Sequence, residues 1–322
     1  MIDELSRKRI AKLTDKAIAH LGEQNYQAAL EVSDELAREK GPLAFYFAGQ
    51  AYAGMKNFRA AVASMKTGVL RRPEFWCNWF LLGVYLSNLD KNEKALAAYR
   101  QALLCPQVDA DLVSLNIAIL SLKCREYETA LTVLAGIEND SMRWGVESTR
   151  VLAVEGTGRF AEAAGLAESF LEERPEGDEE YGKTVGRVAA ALARIRLRQG
   201  KSREEVRGFL LQCLADYGCS SEVLREITAL DPLRYSKEAK YFRLVVEIGL
   251  PPSHPWYRQA PVHFVIYDVI SDTEDEALEL IRGFEIPTGY ESLKVIECKI
   301  QEERPEDPMG VYWITERFFP GM

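Results

Sequence analysis

Apolar and polar positions recur along this chain with two different periods, and the change between them falls close to residue 233. Before it, apolar residues return every third or fourth position, as they do on one face of a helix. Leu5, Ile10, Leu13, Ala17, Ile18 and Leu21 outline a first helix; after a break at Gly22–Asn25 a second opens with Tyr26, Ala29 and Leu30. Beyond the change the apolar set is every second residue, with Phe242, Leu244, Val246 and Ile248 on one face and Tyr241, Arg243 and Glu247 on the other, which predicts a strand. His263 to Ile270 predicts a second strand, Thr273 to Phe284 an amphipathic helix, Leu293 to Gln301 a third strand and Val311 to Phe319 a fourth.

The helical part repeats itself. From Pro42 to Gln107 the residues Gly49, Tyr52, Phe58, Ala61, Gly68 and Pro73 are largely reproduced by Gly83, Leu86, Ala95, Tyr99 and Ala102, with Gly49 to Gly83 and Ala61 to Ala95 both 34 residues apart. The alanines that open each second helix, at 29, 61, 95, 130 and 163, define five hairpins. A sixth, with its first helix near 179–199 and its second opened by a Ser202/Glu205 capping box, lacks the alanine. A hairpin of this length cannot bury its own apolar face and must stack on copies of itself. Pro42, Pro73, Pro106 and Pro175 follow helices and interrupt none, and a short helix from Ser221 to Leu230 is expected to cap the stack.

These residues resemble the tetratricopeptide repeat (TPR): a small residue with a bulky one three later on the first helix, an aromatic then alanine on the second, and proline near the end. The resemblance covers about residues 3–217. It implies a mainly α fold, an α-solenoid of TPR-like helical hairpins over 1–232. Beyond it, the strand and helix pattern reads as a small acidic α+β module of order β-β-α-β-β over 233–322, which resembles no family we recognise. The TPR resemblance further implies that positions 2, 5, 9, 12 and 13 of each first helix line a concave groove. Those positions hold Tyr46, Gln50, Cys77, Phe80, Val84, Leu112, Leu115, Ile119, Leu122 and Leu152, an apolar stripe suited to a peptide or helix of another protein. Chaperone-binding members carry a Lys, Asn and Arg clamp for a C-terminal carboxylate. The ninth positions here are Ile18, Gln50, Val84, Ile119 and Leu152, so no chaperone carboxylate clamp is expected. The stripe can equally be filled by this chain's own tail, or close on itself.

Charge narrows the partners. The formal net charge is -9, and residues 233–322 hold 10 Lys+Arg against 16 Asp+Glu, so -6 of it lies in the tail. A polyanion such as nucleic acid or an anionic membrane is disfavoured. The longest uncharged run, Phe75 to Leu89, is 15 residues, too short to span a bilayer, and the N-terminus has no secretory pattern; a cytoplasmic protein is expected. The six cysteines form no C-x-x-C pair, which signals neither zinc nor a disulfide framework.

Four local features invite a chemical reading. Gly177 to Thr184 satisfies the P-loop pattern G-x-x-x-x-G-K-[ST], but a helix end precedes it and Asp178, Glu179 and Glu180 would face phosphate, so nucleotide binding is not expected. Arg194, Arg196, Arg198, Lys201, Arg203 and Arg207 form one basic cluster, in which Arg194 and Arg198 share a helix face; it reads as a solvated face or a dock for the acidic tail, since aromatics for base stacking are sparse. No nucleophile pattern of Ser or Cys and no metal-spaced carboxylate pattern lies near His254 and His263 in the sequence, so both read as structural. The acidic run Asp272–Glu276 reads as helix-start chemistry, with Thr273 and Glu276 as a capping box. Residues 304–308 read as a turn between the last two strands.

The sequence therefore describes a non-catalytic protein–protein interaction scaffold with no cofactor and no metal. Two alternatives stay open. One is a bacterial immunity or antitoxin-type inhibitor whose acidic module covers a basic toxin. The other is an enzyme in the C-terminal module, which would need convergent polar groups around His263 and Tyr267.

Overall fold

A computed structural model describes residues 4–175, 177–218, 220–254, 257–258, 260–285, 289–301 and 306–315. Fourteen α-helices and four strands occur among them. The helices α1 (Glu4–Gly22), α3 (Ala44–Gly54), α5 (Trp76–Asn88), α7 (Ala110–Lys123), α9 (Arg143–Gly156) and α11 (Glu179–Arg198) are the first members of six hairpins. Their second members are α2 (Tyr26–Arg38), α4 (Phe58–Arg71), α6 (Asn92–Leu103), α8 (Tyr127–Leu134), α10 (Phe160–Glu173) and α12 (Arg203–Tyr217). The architecture is that of TPR-like hairpins followed by an antiparallel sheet, as the residue pattern predicts. The chain divides into two compact units, Met1–Val146 and Glu147–Met322.

In the first unit the repeat has a direct packing cause. A Cβ at Gly49 would lie 2.4 Å from the Met65 side chain and one at Gly83 would lie 2.5 Å from Tyr99, so glycine lets the two helices of each hairpin approach while a large residue from the partner helix fills the space. Met65 and Tyr99 are themselves 34 residues apart. Ala29, Ala61, Ala95 and Ala130 are all fully buried, because only a methyl group fits there. Around them Val62, Leu82, Leu86, Tyr99 and Ile117 form a continuous core across α4 to α7.

The turns repeat as well. Gln24, Lys56, Asp90 and Arg125 adopt positive φ (56, 58, 56 and 62°) at the end of each first helix, and Gly158 and Gly200 occupy the matching places in the second unit. The next amide closes the turn by reaching five residues back, as in Asn25 N to His20 O and Asn57 N to Tyr52 O, both 2.8 Å. Asn25 and Asn57 then cap the following helices, each accepting from the amide three residues on. One left-handed residue per hairpin thus sets the angle at which the chain returns.

In the second unit α13 (Ser221–Leu230) packs on α11 and α12 and is capped by Ser220, whose side chain lies where a Cβ on Gly186 would be. The strands β1 (Lys240–Gly249), β2 (Val262–Ser271), β3 (Ser292–Gln301) and β4 (Gly310–Ile314) form one antiparallel sheet in the order β3-β1-β2-β4. The helix α14 (Glu274–Glu285) and α13 cover one face, joining Leu224, Ala277 and Ile281 to Phe242, Leu244, Val246, Val265 and Tyr267 in a single core. Thr228 of α13 sits against Gly310 of β4. The sheet is therefore built onto the capping helix. Because β3 and β4 lie on opposite edges, the segment between them is a crossover and not a hairpin turn; residues 302–305 of that segment, like 316–319 of the expected fourth strand, are outside the described residues.

Candidate partner-binding surface

The first helices of the first unit lie side by side in the order α1, α3, α5, α7 and form one wall. Side chains of α3 meet the start of α5, and those of α5 meet its own hairpin partner α6. The Tyr46 ring of α3 stands edge-on to Phe75, with centroids 5.7 Å apart, and its hydroxyl shares a hydrogen bond with Gln50. Burial, helped by the neighbouring Cys77 of α5, pushes the Tyr46 hydroxyl above its ordinary value. The Cys77 thiol is likewise pushed up by burial, so it is a protonated apolar group at neutral pH. Phe80 packs 6.0 Å from Tyr99 and 5.9 Å from Trp76.

Tyr46, Gln50, Cys77, Phe80, Val84, Leu112 and Leu122 are half-buried. Leu115 is buried at 8% and serves the packing of α7, whereas Ile119, one turn on, is 40% exposed. Helix α7 buries Val113, Leu115, Ile117 and Leu120, which lie on more than one of its sides. Lys123 at its end is tied to the Ser87 carbonyl (2.6 Å) and to Asp90 (2.7 Å), fixing α7 on α5. Leu152, half-buried on α9, belongs to the second unit.

The wall of the second unit is ionic. Arg194 of α11 grips the Glu155 carboxylate of α9 through two hydrogen bonds (2.7 and 2.6 Å) and reaches Glu226 of α13 at 2.6 Å. Those hydrogen bonds raise the Arg194 value further and outweigh the cost of its partial burial. Sequence reading singled out Arg194 without its partners, which lie 39 and 32 residues away. Arg196 pairs with Glu168 and lies over the Phe209 ring, Arg198 lies over Phe160, Lys201 pairs with Glu205 and Arg207 with Asp231. The carboxylates that answer this cluster come from the helices and the end of α13, and the sheet module joins α13 through apolar packing.

The P-loop look-alike is a helix start. Gly182, Lys183 and Thr184 lie inside α11, the Asp178 carboxylate accepts from the amides of Glu180 and Tyr181, Lys183 pairs with Glu179 at 2.7 Å, and the buried Thr184 hydroxyl donates to backbone carbonyls. The amides that a phosphate would need are already engaged. A cleft of about 560 Å³ beside it is lined by Arg174, Tyr181, Asp216 and Tyr217. Another, of about 450 Å³, lies between α2, α3 and α4 on the side of α3 that carries Phe45, Ala48 and Tyr52.

In the sheet, His263 and Tyr267 lie on the same, buried face of β2, and the Tyr267 hydroxyl donates to the buried carboxylate of Glu285. At the start of α14, Thr273 accepts from the Glu276 amide (3.2 Å), and the Glu276 side chain accepts from the Asp272 amide (3.3 Å). Among the described residues no group of three His, Cys, Asp or Glu is placed to hold a metal ion, and no helix is long and apolar enough to cross a membrane.

The wall and its repeated hairpins are of the TPR kind. No protein-family model and no curated protein matches the sequence. Among solved structures, a tetratricopeptide repeat protein from Parabacteroides merdae is similar at 12% identity and a TM-score of 0.56, over 69% of this chain and 86% of that one. PilW, a type IV pilus biogenesis factor, is similar at 17% identity and a TM-score of 0.53, over 69% of this chain and 97% of that one. Both likenesses are of fold: the chain is TPR-like.

Proposed function

We propose that the chain is a protein-interaction scaffold without catalysis of its own, in which the wall formed by α3, α5 and α7 holds a peptide or helix of a partner protein. What supports this is the half-buried apolar run from Tyr46 through Cys77 and Val84 to Leu112 and Leu122, ending in the exposed Ile119. Stacked hairpins hold such side chains rigidly, so little ordering entropy is lost when a partner docks. The acidic module from residue 233 supplies a second, charge-selective contact. Unpaired thiols at Cys77, Cys105, Cys124, Cys213 and Cys298 suit a reducing compartment, and we place the work in the cytoplasm.

Capture from the native host by the full chain tests this, comparing wild type with Ile119→Glu and Leu122→Glu after circular dichroism has shown each to be folded. A protein retained by wild type and lost at least tenfold by both variants is the expected result. Retention unchanged in both variants would contradict the reading.

A further inference from the structure

The sheet has one covered face and one that no described helix covers. On the second, Tyr241 and Arg243 of β1, Asp268 of β2 and Trp313 of β4 converge, since Arg243 is opposite Asp268 and Asp268 is opposite Trp313 in the ladder. Asp268, only 4% exposed, holds the Arg243 guanidinium through two hydrogen bonds of 2.7 Å each and accepts a third from the Tyr241 hydroxyl at 3.3 Å. The guanidinium lies 5.6 Å from the centre of the Trp313 ring, and Trp313 is 41% exposed. Next to this group Val245 and Ile266 are paired and half-buried. Tyr, Arg and Trp are the residues that dominate binding energy at protein interfaces, above all when their rotamers are fixed beforehand. Here a buried carboxylate fixes Arg243 and Tyr241, and the guanidinium so held lies over the Trp313 ring.

Charge identifies the occupant. Among the described residues this face carries Arg243, Lys294 and Lys299 against Glu247, Asp268 and Glu297, three of each sign. The module as a whole carries 10 Lys+Arg against 16 Asp+Glu, and the chain is at -9. Two copies repel one another over most of their surface but not here. A two-fold contact uses the same patch on both chains, so it needs a surface that is complementary to itself, which a charge-balanced, apolar-centred face supplies. An anionic ligand is a poorer match, because Arg243 already spends its charge on Asp268, and a basic partner would favour the acidic remainder of the module.

We propose that the helix-free face of the sheet, centred on Val245, Ile266 and Trp313, is a self-association surface whose occupant is a second copy of this chain. The surface is separate from the wall of first helices, and either can fail without the other.

Sedimentation equilibrium of the full chain from about 1 to about 100 µM, the range in which a modest interface of this kind is populated, tests the proposal. Wild type is expected to pass from monomer to dimer mass. Trp313→Ala trims an exposed ring and should raise the dissociation constant at least tenfold, and Val245→Glu, which sets like charges face to face, should abolish the dimer. Leu70→Glu, at an 84% exposed position of the first unit, should leave the dimer unchanged. If Val245→Glu unfolds the module, the Trp313→Ala result decides. A monomer mass throughout, a dimer indifferent to both face variants, or a wild-type monomer whose face variants lose a different protein would each overturn the proposal.

Discussion

Gly83 and Tyr99 show at the scale of one residue how this chain specifies its hairpins. A methyl group on Gly83 would stand 2.5 Å from the Tyr99 ring, so Gly83→Ala should cost about 1–3 kcal/mol by overpacking. Combining it with Tyr99→Leu should cost less than the sum of the two single changes, because the pair shares one space, and chemical denaturation of the four proteins checks this. Gly158 and Gly165 separate backbone from packing, since neither would meet an atom within 4 Å on gaining a Cβ. Gly158 has φ +84°, so Gly158→Ala should cost about 1 kcal/mol. Gly165, exposed within α10, is an ordinary helix position, and Gly165→Ala should gain about 0.5–1 kcal/mol. The sequence announced the glycines and alanines, because only small residues fit where two helices touch and the demand recurs once per hairpin. It did not announce the left-handed turns at Lys56, Asp90 and Arg125, where ordinary side chains accept a conformation that glycine would have signalled.

At the scale of elements, charge binds α9, α11 and α13 more than their sequences suggest. Arg194→Met leaves the carboxylates of Glu155 and Glu226 facing each other without a cation. Losing one member of a buried pair costs about 3–5 kcal/mol, and the 35% exposure of the Arg194 side chain brings the expected loss to about 2–3 kcal/mol. Thermal unfolding checks it, and replacing all three residues with apolar ones should recover most of the loss. Helix α13 adds a pH dependence. Burial alone would raise the Glu222 carboxyl, but its own amide, the hydroxyls of Ser220 and Ser221 and the Arg187 charge together hold it below its ordinary value. The stability it contributes is therefore complete above the unfolded value of 4.5 and is lost as pH falls through the lower folded value. Glu222→Gln should be less stable than wild type at pH 7 and equal to it in strong acid, as thermal midpoints across that range will show. The strands, α14 and α13 were legible from alternation and capping residues. The order β3-β1-β2-β4 was not, because alternation fixes which face each residue takes and says nothing about which strands are neighbours.

The whole molecule sets an apolar wall in one unit and a charge-satisfied one in the other. The placement of Tyr46, Cys77 and Val84 on first helices was legible from the repeat, and each is half-buried there. What escaped sequence reading was the burial of Leu115 and the pairing of Arg194 with Glu155 and Glu226, since both depend on neighbours far along the chain. The central claim is that α3, α5 and α7 of the first unit hold a segment of another protein. Hydrogen–deuterium exchange, read by mass spectrometry on the full chain alone and with the protein it captures, tests this most directly. We predict slowed exchange in Trp76–Asn88 and Ala110–Lys123, and little change in Phe58–Arg71 and Asn92–Leu103. Slowed exchange confined to those second helices or to the sheet, or no change anywhere in the first unit, would contradict it.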